Sequence, residues 1–452
     1  MNIAAISTAP GIGGIAVIRV SGPDTISIVD SIFAPFKETN KLSCRKSHTM
    51  TYGQIIDPKT KEVIDEVVVS LYKGPNSFTG EDVVEISCHG SIYIQQQILD
   101  TILSQEGIRL AERGEFTRRA FRNGKMDLSQ AEAVADLIAS QNAASHRLAR
   151  SQMKGSISRK LDDLRQQLLT MTSLLELELD FSEEDVEFAD RTQLLQLAHD
   201  IDHEVTRLAS TFSTGQAIKN GIPVAIIGAP NVGKSTLLNQ LLKDDRAIVS
   251  PIQGTTRDLI EDTITLGGFL FRFIDTAGIR STDDQIEALG IERSLSAASR
   301  ANIIILLTEP GVDFADITPR PDQHVIRVVN KADKLETLEN IGNKKDTFSN
   351  FISISALNGT GIESLEQQLI SIARPEENQG DIILTNRRHF EALNSAHESL
   401  INVIQALEAQ ISGDLVAEDL RLVIEHLNSI LGQSITSQDT LNNIFKNFCI
   451  GK

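Results

Sequence analysis

Between two apolar stretches, Gly228-Ala-Pro-Asn231-Val232-Gly233-Lys234-Ser235 matches the pattern GxxxxGK[ST]. Such a loop turns backbone N–H groups inward around phosphates; Lys234 reaches their outer oxygens, Thr236 follows, and the Ser235 hydroxyl is placed for Mg²⁺. Three further signals appear in the order a guanine-nucleotide site needs. Asp275-Thr276-Ala277-Gly278 ends a strand-like run, so the aspartate can orient Mg²⁺ through water and the glycine N–H can sense the γ-phosphate. Asn330-Lys331-Ala-Asp333 follows another, and the Asp333 carboxylate can accept from both N1–H and the exocyclic amine of guanine, a donor pair that adenine lacks. Ser355-Ala356-Leu357 can offer a backbone N–H to the guanine oxygen. Gly254 to Asp258 falls where the first switch belongs, with Thr256 the expected second hydroxyl on Mg²⁺ and Thr255 its one-residue alternative. The position after DTAG is Ile279, not glutamine, which leaves water activation to Asp283, Asp284, Gln285 or Glu287.

Elements that alternate must hold these residues. From about residue 221 to 374, near-continuous β-branched runs such as IIIL and VIRVV suit parallel strands buried on both faces, separated by helices. No proline lies between Pro75 and Pro223 or after Pro375, and proline is excluded from helix interiors, so both stretches read as long helices. Leu161, Leu164, Leu168, Met171, Leu175 and Leu179 recur at helical spacing, as do Phe390, Leu393, Ala396, Leu400 and Val403. The expected fold class is multidomain. It comprises an N-terminal α+β domain (1–118) and a discontinuous all-α domain (119–215 and 377–452) into which an α/β P-loop GTPase domain (216–376) is inserted.

Composition narrows the function classes. The formal charge of −18 argues against a surface that binds nucleic acid all over. A local contact remains open, and Arg109, Arg113, Arg118, Arg119, Arg122 and Lys125 form the candidate cluster. Residues 176–190 are strongly acidic and read as a solvated helix end and loop. Cys44, Cys88 and Cys449 have no disulfide or zinc-ligand pattern, and no apolar run reaches membrane-spanning length, so a cytoplasmic protein with no membrane partner is expected. Gly11-Ile-Gly-Gly14 precedes a strand instead of following one and is a poor dinucleotide fingerprint.

The four nucleotide signals resemble the translation-factor-related GTPases. With Asn231, GTTRD, DTAGIR, RGEFTRRAFRNGKMDL and the terminal Phe448-Cys-Ile-Gly-Lys452, the whole chain resembles the MnmE (TrmE) family of tRNA-modification GTPases. That resemblance implies an N-terminal folate-binding and dimerising domain, hence a homodimer. It also implies a flavoprotein partner, MnmG (GidA), in a heterotetramer or larger assembly, and modification of C5 of wobble uridine in certain tRNAs. It further implies a potassium ion held by Asn231, Ser250, Ile252 and Thr255, and Glu287 as the residue that orients water. Arg19, Glu85, Lys125 and Lys452 match folate-binding positions for a 5,10-methylene or 5-formyl tetrahydrofolate, and Cys449 is a candidate nucleophile in the tail. Ser91 stands where the family has the second glycine of HGG, and His89 reads as structural. Gly451 and Lys452 poorly suit prenylation of Cys449. The competing reading is a regulatory GTPase switch in ribosome assembly, which needs neither the folate positions nor the tail.

Overall fold

Alternating apolar and polar residues near the N-terminus, as in IAVIRVS, give strands with one face for a core, whereas the apolar runs after residue 221 give strands covered on both faces. The computed structural model describes residues 1–37, 41–180, 191–242, 262–274, 296–321, 323–337, 351–374, 382–433, 441, 444–446, 448 and 451. The chain divides into two compact units: Met1–Ile138 with Gln152–Leu195 and Asn402–Lys452, and Ala139–Ser151 with Gln196–Ile401.

In the first unit, β1 (Asn2–Ile6), β2 (Ile15–Ser21), β3 (Phe33–Pro35), β4 (Thr49–Ile56), β5 (Val63–Tyr72), β6 (Val83–His89) and β7 (Ile108–Leu110) make one sheet. Its order is β3-β4-β5-β6-β2-β1-β7, antiparallel except for the β1–β7 pair. Helices α1 (Thr25–Asp30) and α2 (Ile92–Leu103) cover it, and Val20, Val69, Ile86 and Ile98 are among its buried residues. After α3 (Glu115–Arg122) come α4 (Leu128–Ala139) and α6 (Ser156–Asp180), while α5 (Ala143–Met153), α7 (Arg191–Ser210) and α8 (Phe212–Asn220) lie largely or wholly in the second unit. The predicted stripe of α6 is buried from Leu161 through Leu175, while the Leu179 side chain lies outside the described residues.

The second unit is built on β8 (Ile222–Ile227), α9 (Lys234–Leu242), β9 (Asp262–Leu266), β10 (Phe269–Phe273), β11 (Ile303–Thr308), β12 (His324–Val329), β13 (Ile352–Ser353) and α10 (Ile362–Ala373). Strand order is β13-β12-β11-β8-β10-β9, parallel throughout except for the β9–β10 hairpin. Every residue of β11 is buried, as its IIIL run demands. Two glycines with positive φ, Gly267 and Gly268, form the hairpin turn. The chain continues into α11 (Arg387–Glu408) and then α12 (Gly413–Leu431), which packs on α6 within the first unit.

Candidate functional site

The phosphate loop lies at the carboxyl end of β8, and Lys234 opens α9, whose N-terminal N–H groups and dipole favour an anion. Gly233 has φ +95°, and a Cβ there would stand 2.4 Å from Asn330 Nδ2. A Cβ on Gly228 would meet the Leu307 carbonyl at 2.3 Å. Only glycine lets the loop close this tightly, so its glycines are set by packing as well as by phosphate. Lys234 Nζ donates to the Gly228 and Ala229 carbonyls at 2.7 and 2.9 Å, and its burial lowers the ammonium below the usual lysine value. Ser235 and Thr236 line a cavity of about 440 Å³ together with Asn239, Gln240, Ala356 and Leu357. Phosphate-loop and guanine-loop residues thus face one space.

Asn330 ties these parts together. Its Nδ2 donates to the Val232 carbonyl at 2.8 Å, and its Oδ1 accepts from the Ala356 N–H at 2.9 Å. One buried amide therefore fixes the phosphate loop to the guanine loop, a role its place in the motif did not reveal. Beside it, Lys331 has φ +61°, donates to the Asn231 carbonyl at 2.8 Å and pairs with Glu309. Glu309 was missed by the motif reading; its position just after β11 was the available signal. Ser355 Oγ donates to Asp333 Oδ1 at 2.6 Å, and that hydrogen bond holds the carboxyl below its ordinary value. Ser250, Ile252, Thr255, Thr256, Asp275, Thr276, Ala277, Gly278 and Glu287 lie outside the described residues.

A second constellation forms in the first unit. Arg19 on β2 and Glu85 on β6 are register partners, and the guanidinium reaches Glu85 Oε1 through Nε at 2.9 Å and Nη2 at 2.8 Å. Phe78 and Phe116 lie under Arg19, with ring centroids 5.5 and 5.6 Å from its central carbon. The Gly451 carbonyl accepts from Ser7 Oγ at 3.0 Å and from Arg19 Nη1 at 3.3 Å. Gly451 has φ +89°, and a Cβ there would stand 2.5 Å from the Ile6 carbonyl. Phe448 is buried with Phe445, Leu441 and Leu128. Of the four folate positions, Arg19 and Glu85 are brought together, whereas Lys125 Nζ is held by the Pro75 carbonyl at 2.9 Å. Lys452 and Cys449 lie outside the described residues.

His89 has the structural role expected of it: the buried Asp65 accepts from its backbone N–H at 2.8 Å and meets Nδ1 at 2.7 Å. Gly13 and Gly14 exchange backbone hydrogen bonds with Gly90, so the glycine-rich segment seats on another loop. Ser91 is the extended residue before α2, a conformation that needs no glycine.

The basic segment differs from expectation. Three of its arginines, Arg109, Arg118 and Arg119, are engaged by Glu115, Glu112 and Glu81, while Arg113, Arg122 and Lys125 are exposed. Burial pushes the Glu115 carboxyl up, but hydrogen bonds from Arg109, the Glu112 N–H and Arg119 outweigh it and hold the group at about 2. The stability this supplies is full above the ordinary carboxyl range and is lost as pH falls toward that value. Glu115→Gln is expected to cost on the order of 3 kcal/mol at neutral pH and to flatten acid unfolding below about pH 4.5, read by denaturant titration at several pH values.

No helix among the described residues is long and apolar enough to cross a membrane. Residues 2–125 match the model described as the GTP-binding protein TrmE N-terminus, and residues 128–449 match that of the MnmE helical domain. The tRNA modification GTPase MnmE of Parabacteroides distasonis is 55% identical, covering 100% of both chains. Its namesake in Flavobacterium johnsoniae is 47% identical over 100% of this chain and 99% of its own. Among solved structures, the FeoB G-domain from Methanococcus jannaschii is similar over 34% of this chain and 98% of its own, at 20% identity and a TM-score of 0.24. Matches to both family models, with relatives of such identity along the full length, establish that the chain belongs to the MnmE (TrmE) family of tRNA modification GTPases.

Proposed function

We propose that this GTPase hydrolyses GTP on Mg²⁺ and K⁺ and, with a flavoprotein partner of the MnmG (GidA) kind, adds a carboxymethylaminomethyl or aminomethyl group at C5 of wobble uridine from a folate one-carbon donor. The chemistry of the donor sets supports this reading. Ser235 at the start of α9 offers a hydroxyl to Mg²⁺, with Thr256 as its partner. Asn231 offers an amide oxygen to K⁺, joined by Ser250, Ile252 and Thr255, and Glu287 orients water. A cation so placed offsets charge developing on the transferred phosphoryl group, the role an arginine finger has elsewhere.

The observation that carries the folate half is the seat of Gly451 on Ser7 and Arg19, which places the tail's backbone at the Arg19–Glu85 pair. Both Arg19 contacts fall on Oε1 of Glu85, so Oε2 remains able to accept from the amino and ring N–H groups of a pterin. When bound, the folate supplies the one-carbon unit; the chain's own residues orient it and bring the tail alongside. A switch without substrate chemistry requires no such convergence. Purified full-length protein is expected to bind 5-formyltetrahydrofolate, and Arg19→Ala to weaken that binding by about tenfold or more while GTP turnover holds. Equal folate binding by both proteins, measured by calorimetry, would remove the folate assignment.

A further inference from the structure

The acids that dominate this chain are absent from several stretches, 137–161 and the longer 205–243 among them, and 137–161 carries more cations than the longer one. Between Asp136 and Asp162 there is no Asp or Glu, although the same length at the chain's mean composition holds about three. The gap carries Arg147, Arg150, Lys154, Arg159 and Lys160, with His146 beside them. Arg147 and Arg150 lie three residues apart on α5, a spacing that puts them on one helix face, and Lys154 follows just past the helix end at Met153. All three are exposed, and among the described residues none makes an ion pair.

Helix stability explains only part of this pattern. Cations near the end of α5 suit its dipole, and Arg159 Nη1 caps the Lys154 carbonyl at 2.9 Å. The first turn of α6, where acids are favoured, has none, and Arg159 and Lys160 follow directly. Positive charge is thus kept where the helix itself disfavours it. The opposite face of α5 is anchored: Ala144 is buried in the core of the second unit, Leu148 packs against it, and the Ala144 N–H donates to the Gly268 carbonyl at 3.1 Å.

We propose that the exposed face of α5, through Arg147, Arg150 and the following Lys154, docks the phosphate backbone of RNA, here the tRNA substrate. This rests on the tRNA-modification reading above. In a chain of net charge −18, a rigid cationic stripe attracts a polyanion locally while the surrounding acids repel it elsewhere, which confines the contact to that face. Phosphate contacts position an RNA without reading its sequence, so this face sets orientation and leaves base selection to other groups.

The test is equilibrium binding of unfractionated bacterial tRNA to the full-length protein with GTP, Mg²⁺ and about 50 to 200 mM KCl. Arg147→Gln/Arg150→Gln is expected to weaken binding about tenfold or more and to reduce the slope of log affinity against log salt by about two. Adding Lys154→Gln should remove about one more. Arg147→Lys/Arg150→Lys should restore the slope, and Lys46→Gln/Lys59→Gln/Lys61→Gln, with the same charge loss on exposed lysines elsewhere, should leave affinity unchanged. GTP turnover of each variant reports folding. An unchanged slope in the double variant, or an equal loss in the lysine control, overturns the assignment to α5. Lost capture of the flavoprotein with tRNA binding intact does so too. If the unaltered protein binds no tRNA, the tRNA reading of its function fails first.

Discussion

Asp333→Asn is expected to turn a GTP site into one that prefers xanthosine triphosphate. Ser355 Oγ donates to Oδ1 at 2.6 Å, which leaves the other carboxylate oxygen open to a base. An asparagine can keep its carbonyl oxygen on Ser355 and present its amide N–H₂ there, a donor where guanine also has a donor and xanthine has a carbonyl. Two charge-assisted hydrogen bonds are lost for GTP, and affinity should fall by about a hundredfold or more. Competition binding with both nucleotides reads the outcome. Undiminished GTP affinity would mean that Asp333 does not read the base.

Deleting Phe448 to Lys452 should abolish wobble-uridine modification while leaving intrinsic GTP hydrolysis within about twofold. Phe448 belongs to an apolar cluster with Leu128 and Phe445, and Gly451 is held by its carbonyl on Ser7 and Arg19, so the deletion removes both an anchor and a seat. None of the tail lies in the unit that carries the phosphate loop. Cys449→Ser is the finer probe, since it keeps size and removes the thiol. Mass spectrometry of tRNA nucleosides from cells carrying each variant decides: fully modified uridine with the deletion would reduce the tail to a packing element and place the one-carbon chemistry in the partner.

The sequence made the nucleotide site legible because its motifs are contiguous: strand, loop and helix lie next to one another in the chain, and the parallel strands announce themselves as apolar runs. The strands ending at Ile227, Phe273 and Thr308 fall where those runs placed them. What failed to show was pairing across the chain. Strand β7 is three residues long and is defined only by its pairing with β1, about a hundred residues away, so no local pattern announces it. Charge misled for the same reason. Glu112 and Glu115 already dilute the arginine cluster in the sequence, but Glu81, 38 residues before its partner Arg119, is brought there only by the fold. The acid-free stretch around α5 was open to simple counting but is less dense than the other cluster. Asn330 and Gly451 act through contacts that no local spacing encodes.

The β9–β10 hairpin has a mechanical consequence. Strand β9 starts four residues after Asp258 of the GTTRD segment, and its far end turns through Gly268, whose carbonyl holds the first turn of α5. A strand cannot slip one residue against its partner without sending its buried side chains to the wrong face, so the register of β9 on β10 is fixed. The hairpin thus joins the chain that follows the GTTRD segment to the first turn of α5. An insertion at its Gly-Gly turn would therefore disturb the hydrogen bond that holds the start of α5 as well as the hairpin itself.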